Sequence, residues 1–470
     1  MMTRHRVVPG SRFLVPGLAR GLLAAAALLL ELGTGNLELQ AQLGSFNPAP
    51  GPRGVYAIRN ARIVTVSGPE IARGTVVIGA DGRIQAVGAD VSVPAGAQTI
   101  DASGLTVYPG MMDAGTSMGL SEIPQGANAT VDVAEVGSFN PNAQALWGIN
   151  PHSAHVGVTR VVGITHVLSS PTGGLISGQS AVINLAGWTA PDMTVVPRAA
   201  LVINLPRAGF SFGRGGFQAL MARINQGGDS DPERLRERQL DSIRAILRDA
   251  DAYGRAIDAY ERDRTLPRPQ QDVVLAALVP AVRGRMPVLF TAERAPEIRA
   301  AVNFAREMKL KPIILGGRDA WQVVDLLKQN DVPVILTSVM DLPSREDDPY
   351  DVNFSAPAKL HAAGVRFAIT SGDQGAEVRN LPYTAGMAAA FGLAKDVALR
   401  SVTLAPAQIL GVADRLGSIE VGRMANLVVT DGDLLEARTK TRHLFIDGRP
   451  VPLSTKHEVL YETFKGRKGE

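Results

Sequence analysis

Cysteine is absent from all 470 residues, which excludes disulfide frameworks, thiolate metal sites and lipid attachment through a cysteine. Aromatic residues are scarce at 5% while glycine reaches 49, a balance that suits a fold with many tight strand-to-helix loops. A sustained charge of one sign is missing too. The formal charge of +3 shrinks to 44 basic against 43 acidic residues once residues 1–41 are set aside. No field then remains to recruit nucleic acid, and the tail Lys465–Lys468 is too short for a binding patch. The uninterrupted apolar run Leu22–Leu30 is too short to span a bilayer comfortably.

What is present begins with that run. Arg4, Arg6, Arg12 and Arg20 precede it and small residues follow. This is the layout of a secretory signal peptide over residues 1–41, cleaved near Ala41, with the mature chain exported to the periplasm or the medium. A retained membrane anchor is the alternative. The remainder, in a sequence 45% hydrophobic and 20% charged, has the composition of a globular protein and the length for one large domain plus a smaller one.

Three zones follow. Tyr56–Val66, Gly74–Ile78 and Arg83–Val87 are short β-branched runs, and Gly79-Ala80-Asp81-Gly82 is a hairpin signal. At the far end Asn426–Thr430 and His443–Ile446 read as strands, with Asp447-Gly448 turning into Pro450-Val451. Neither end has enough strands to bury a face alone, so residues 42–108 and 404–456 are expected to form one small β-sandwich, leaving 457–470 as a tail. Between them, over 109–403, the apolar runs Gly163–Leu168, Val288–Thr291, Pro312–Leu315, Val332–Thr337 and Val365–Thr370 alternate with helical stretches Pro296–Met308, Ala320–Lys328 and Ala356–Ala363. Such runs suit parallel strands buried on both faces of a (β/α)8 TIM-type barrel, an α/β fold that works at the carboxyl ends of its strands. A doubly wound open sheet gives the same local pattern. The segment 229–264 carries eighteen charges with Leu240, Ile243, Leu247, Ala250, Ile257 and Tyr260 at helical spacing. It reads as a charged helical insertion laid on the barrel, or else as a partner or dimer helix.

The three zones together resemble the imidazolonepropionase-like branch of the amidohydrolase superfamily. The resemblance rests on Ile58–Thr65, on Gly82–Gly88, on Ile100–Gly110, and on Thr403–Gly411 followed by Leu416–Val429. The family usually has Ala-Asp-Leu where this chain has Ala425-Asn426-Leu427. The resemblance implies hydrolysis of non-peptide carbon–nitrogen bonds by a water activated on one or two divalent cations. It also implies a motif Pro-Gly-apolar-apolar-Asp-x-His-x-His on the first barrel strand. Here that stretch is Pro109-Gly110-Met111-Met112-Asp113-Ala114-Gly115-Thr116-Ser117, so glycine and serine stand at the histidine positions. The fifth- and sixth-strand histidines fall on Thr291 and Gly316, and only the last carboxylate survives, as Asp373.

No metal is therefore expected at Gly115, Ser117, Thr291 and Gly316, and no cofactor elsewhere unless a relocated site binds a zinc-type divalent ion. His152, His155 and His166 are the candidates for such a site. Metal-free chemistry would fall to Glu293 and Asp373 as acid and base, with an arginine such as Arg294 or Arg318 pairing Glu293 as the competing reading. Ser117, Gly173, Gly174 and Gln179 are expected to wall the substrate pocket. The glycine-dense Gly209–Gly216 is a candidate lid or an ordinary loop. Two functions stand open: a hydrolase with a degenerate metal site, or a catalytically silent barrel that binds a small molecule or a protein. A homodimer is possible, and nucleic acid is not an expected partner.

Overall fold

The computed structural model describes residues 47–123, 128–206 and 231–467. The first five strands are β1 (Tyr56–Ile63), β2 (Ile71–Ile78), β3 (Ile84–Gly88), β4 (Gln98–Asp101) and β5 (Thr106–Pro109). The barrel strands are β6 (Met111–Thr116), β7 (Ile164–Ser169), β8 (Ile176–Asn184), β9 (Thr194–Ile203), β10 (Val288–Ala292), β11 (Pro312–Gly316), β12 (Val334–Leu336) and β13 (Phe367–Ile369). Three more close the chain: β14 (Leu427–Thr430), β15 (Thr441–Ile446) and β16 (Arg449–Pro450).

Both chain ends build one eight-stranded sheet, in the order β16-β15-β14-β5-β1-β2-β3 with β4 beside β1. The seam is β5 against β14, antiparallel, with Leu427 opposite Pro109 and Val428 opposite Tyr108. This sheet bends over its own core, where Ile58, Ile63, Val76, Val107, Leu427 and Phe445 are buried together. Tyr56 of β1 meets Phe445 of β15 edge to face at 5.4 Å. The β15–β16 turn has both central residues at positive φ, Asp447 at 51° and Gly448 at 70°, the geometry for which Asp-Gly is selected.

The second sheet runs β6 through β13 in chain order. One buried apolar cluster takes Met112, Leu168, Val182, Ala200, Leu289, Ile313, Ile335 and Ala368, a residue from every strand. That is the filled interior of a barrel, not the two faces of an open sheet. Residues of the other parity, among them Val288, Phe290, Ile314, Val334 and Ile369, belong to a second cluster with the helices.

The expectation of parallel strands fails at one place. β8 runs antiparallel to both β7 and β9. Six residues separate Ser169 from Ile176, and a parallel return needs a dozen or more. The run escapes a reading by apolar continuity because Ser177, Gln179, Ser180 and Asn184 interrupt it, although all nine residues are buried.

The charged insertion is helix α1 (Pro232–Arg262). Its apolar stripe, Leu240, Ile243, Leu247 and Ala250, is buried, and it packs against helix α2 (Val273–Val282). Arg244 pairs with Glu237 at 3.0 Å, Asp241 at 2.9 Å and Glu307 at 3.0 Å, the last on helix α3 (Ala295–Glu307). The insertion thus packs on its own domain. No helix among the described residues is long and apolar enough to cross a membrane. Residues 1–41, read as a signal, and the segment 209–216 lie outside the described residues.

Candidate functional site

The carboxyl ends of the barrel strands open on a cavity of about 890 Å³. Gly115 at the end of β6, Thr172 after β7, Asn204 after β9, Thr291 and Glu293 at β10, Leu315 of β11, Thr337 after β12 and Asp373 after β13 all line it. Its outer wall comes from the loop and helix that follow β13, with Glu377, Asn380, Tyr383 and Thr384.

The barrel's last joint stands beside it. β6 and β13 are the two free ends of the strand order, and a side chain bridges them. Asp113 is fully buried. It accepts hydrogen bonds from Ser371 N at 3.0 Å and Ser371 Oγ at 2.6 Å, from Thr370 Oγ1, and from Gly115 N at 3.1 Å. Burial nonetheless pushes this carboxyl above its usual range, against the pull of those four donors. Ser117 makes a second tie, with its N and Oγ donating to the carbonyl of Asp373 at 2.8 and 2.6 Å.

Space beside the two glycines is tight, against side chains at Gly115 and against backbone as well at Gly316. A Cβ on Gly115 would stand 2.9 Å from Leu315 Cδ1 and 3.1 Å from Thr370 Cγ2. A Cβ on Gly316 would stand 2.7 Å from Glu293 Oε1 and 2.8 Å from the Ala292 carbonyl, at a φ of +119° that strains any side chain. The Glu293 carboxyl therefore occupies the room beside the end of the sixth strand. It accepts from the Arg318 amide at 3.3 Å and from Thr337 Oγ1 at 3.2 Å. The Arg318 guanidinium, offered above as the partner of Glu293, pairs with Asp341 at 2.6 Å instead. Burial raises the Glu293 carboxyl above its ordinary value, with the Arg318 amide and charge and the Thr337 hydroxyl acting the other way.

Of the residues singled out from sequence, Glu293, Asp373, Gly115 and Thr291 meet on this one cavity. Ser117 lines a smaller hollow of about 160 Å³ beside it, together with Asp373, His155 and Glu122. Gly173 and Gly174 take positive φ, 82° and 62°, and their carbonyls accept from Asn204 Nδ2 at 3.3 and 3.0 Å. They shape the turn behind Thr172 and do not stand among the residues lining the cavity. Gln179 is buried, donating to the carbonyls of Pro141 at 2.9 Å and Ala277 at 3.4 Å, and braces the wall from behind.

The three histidines do not converge. His152 rests edge-on against Trp188 at 4.7 Å. His155 Nε2 lies 3.1 Å from the Glu122 carbonyl. His166 is fully buried, with Nδ1 at 2.6 Å from Thr165 Oγ1 and 3.3 Å from Asn426 Nδ2. Burial lowers its pKa to about 3, so it stays neutral. Asn426, where the resembled family has aspartate, also donates to Asn184 Oδ1 and accepts from Asp447 N, both at 2.8 Å. That amide joins the barrel to the small sheet, pairing an acceptor oxygen with an N–H donor that a carboxylate lacks. Among the described residues no three His, Asp or Glu side chains come together to hold a metal.

Sequence reasoning missed Asn204, Thr337, Asp341, Glu377, Asn380 and Tyr383. The available signal was position: residues just after a barrel strand line the mouth whatever their type.

The profile of the Amidohydrolase family matches residues 295–455. Amidohydrolase tasK of Hapsidospora irregularis is 26% identical over 385 residues, which take in 78% of this chain but only 39% of that protein. Imidazolonepropionase of Acidiphilium cryptum is 27% identical over 397 residues, 80% of this chain and 93% of that one. Among solved structures, an amidohydrolase from Thermotoga maritima superposes with a TM-score of 0.74 at 23% identity, over 84% of this chain and 99% of that chain.

Proposed function

We propose, for a chain that belongs to the amidohydrolase superfamily on its imidazolonepropionase-like branch, that the barrel mouth binds a small polar molecule without a metal-activated water. The observation that carries this is the residue set at the four family positions, two of them glycines without a ligand atom, with Gly316 held at a φ of +119° and 2.8 Å from the Ala292 carbonyl where a Cβ would stand. A metal needs three protein ligands there. Two of the four family positions, Gly115 and Gly316, offer no ligand atom. The other two are hydroxyls, and the Ser117 hydroxyl already donates to Asp373. The donor set does not fit a catalytic zinc.

A second reading is metal-free hydrolysis of a carbon–nitrogen bond. Glu293 favours it, since its half-buried carboxyl, with a raised pKa, shares the cavity with Asp373 and keeps its proton to higher pH than an ordinary carboxyl, as a general acid must. Export through the leader at 1–41 is part of the same proposal, supported by Arg4 to Arg20 ahead of Leu22–Leu30.

Elemental analysis after growth in added zinc and in added manganese tests the first reading. Well under one metal per chain, and one melting temperature with and without EDTA, is the expected result. One tightly held ion per chain would return the family's water chemistry and overturn the proposal.

A further inference from the structure

We infer that the molecule held at the barrel mouth is a cation: a small primary amine, amidine or guanidine. The inference rests on the reading that the mouth binds a ligand, and it adds the ligand's charge class. Among the described residues the cavity lining contributes four carboxyl groups, Glu293, Asp341, Asp373 and Glu377, and no lysine, arginine or histidine. Among the described residues only Asp341 has an ion-pair partner, the Arg318 guanidinium at 2.6 Å. Glu377 accepts from the neutral Asn380 amide at 2.6 Å. The Asp373 carboxylate has no hydrogen-bond or ion-pair partner among the described residues, its residue being held through the backbone carbonyl by Ser117.

A concave site whose described wall carries carboxylates without a lining base focuses negative potential into its opening. An anionic ligand would meet like charge there and lose affinity, while a cation gains both attraction and faster association. The remaining lining suits an organic cation better than a bare ion. Tyr383 and Met340 present an aromatic face and a thioether, surfaces on which amidinium and ammonium groups are held well. The volume of about 890 Å³ lies in the range of pockets that take small organic molecules. The adjoining hollow shares Asp373 and Gln374 and adds Glu122, so the acidic wall continues past the first cavity.

Ligands of nearly the same shape and opposite charge test this. Benzamidine, benzamide and benzoate, and agmatine as an aliphatic cation, are titrated by calorimetry and thermal shift into the full chain and into Asp373→Asn and Glu377→Lys. Both substituted residues are exposed, so both variants should melt as the parent does. The cations are expected to bind at millimolar or lower concentration, benzoate not at all. Their affinity should fall about tenfold in Asp373→Asn and further in Glu377→Lys, the effect of one and then two charges at a part-exposed site. Benzoate or benzamide binding as well as benzamidine, with affinity lost in Tyr383→Ala, would keep the mouth as the binding site and overturn the charge class. Cations that bind all variants alike would place binding elsewhere and overturn both readings. No binding by either cation overturns the cation inference, while the metal analysis still decides the reading beneath it.

Discussion

Replacing Asp113 by asparagine sets a buried charge against the hydrogen bonds that surround it. The side chain is fully buried and takes four donors from Gly115, Thr370 and Ser371. Hydrogen bonds to a charged acceptor contribute about 1.5–3 kcal/mol each, and burying an ion costs several kcal/mol even after relaxation. The two nearly cancel, and burial wins, since the carboxyl is raised. Asparagine keeps one acceptor oxygen but turns an NH2 toward the Ser371 amide, so about 3 kcal/mol is lost in mildly acid solution. For a chain of this size that is a fall of about 3–4 °C in melting temperature. The pH dependence is the sharper test. A carboxyl raised in the folded state contributes stability that is fully present below its unfolded pKa and lost as pH rises through its folded one. The gap between parent and variant is therefore widest near about pH 4 and narrows toward about pH 8. Thermal melts of both proteins across that range decide it. A gap that widened with pH would mean that the four donors outweigh burial, and would refute the reasoning.

Other outcomes follow from the same structure. Gly316→Ala must place a Cβ against Glu293 and Ala292 at a φ of +119°, and should cost about 2–4 kcal/mol in denaturant midpoint analysis. Glu293→Gln should melt no higher than the parent in acid and gain on it as pH rises, because the raised carboxyl is costly only once ionised; an opposite trend would show the Arg318 charge dominating. The His166 imidazole, lowered to about 3 by burial, should show no titration between about pH 5 and 8 in carbon-labelled NMR spectra. Arg244→Ala removes three carboxylate pairs and the contact over Phe304 at 5.8 Å. Because these carboxylates are half exposed, the loss should stay near about 1 kcal/mol and shrink in high salt.

Much of the barrel was legible because its outer and inner faces are both apolar. β10 and β11 stand where continuous runs of Val, Leu, Ile and Phe place them, and α3 begins within one residue of its expected start. β8 was not legible: its buried polar residues break the run, and only the short span after β7 hints at its direction. Glu293 was singled out by its position at a strand end and Asp373 through the family resemblance, and both line the cavity. Asp113 was visible only as a motif residue, since its partners Thr370 and Ser371 lie 257 and 258 positions away. A lone sequence carries no register between its first and last barrel strands, and so could not show that a carboxylate joins them.

The seam between β5 and β14 sets the order in which the chain can be finished. The strand Thr106–Pro109 is made before the barrel strands and its partner Leu427–Thr430 after them. A ribosome must complete nearly the entire barrel before that edge can be covered. Until then Thr106–Pro109 has one side free to accept a strand from a neighbouring nascent chain. Chains ended before residue 427 are thus expected to clump through their amino-terminal strands, even where the barrel itself has formed.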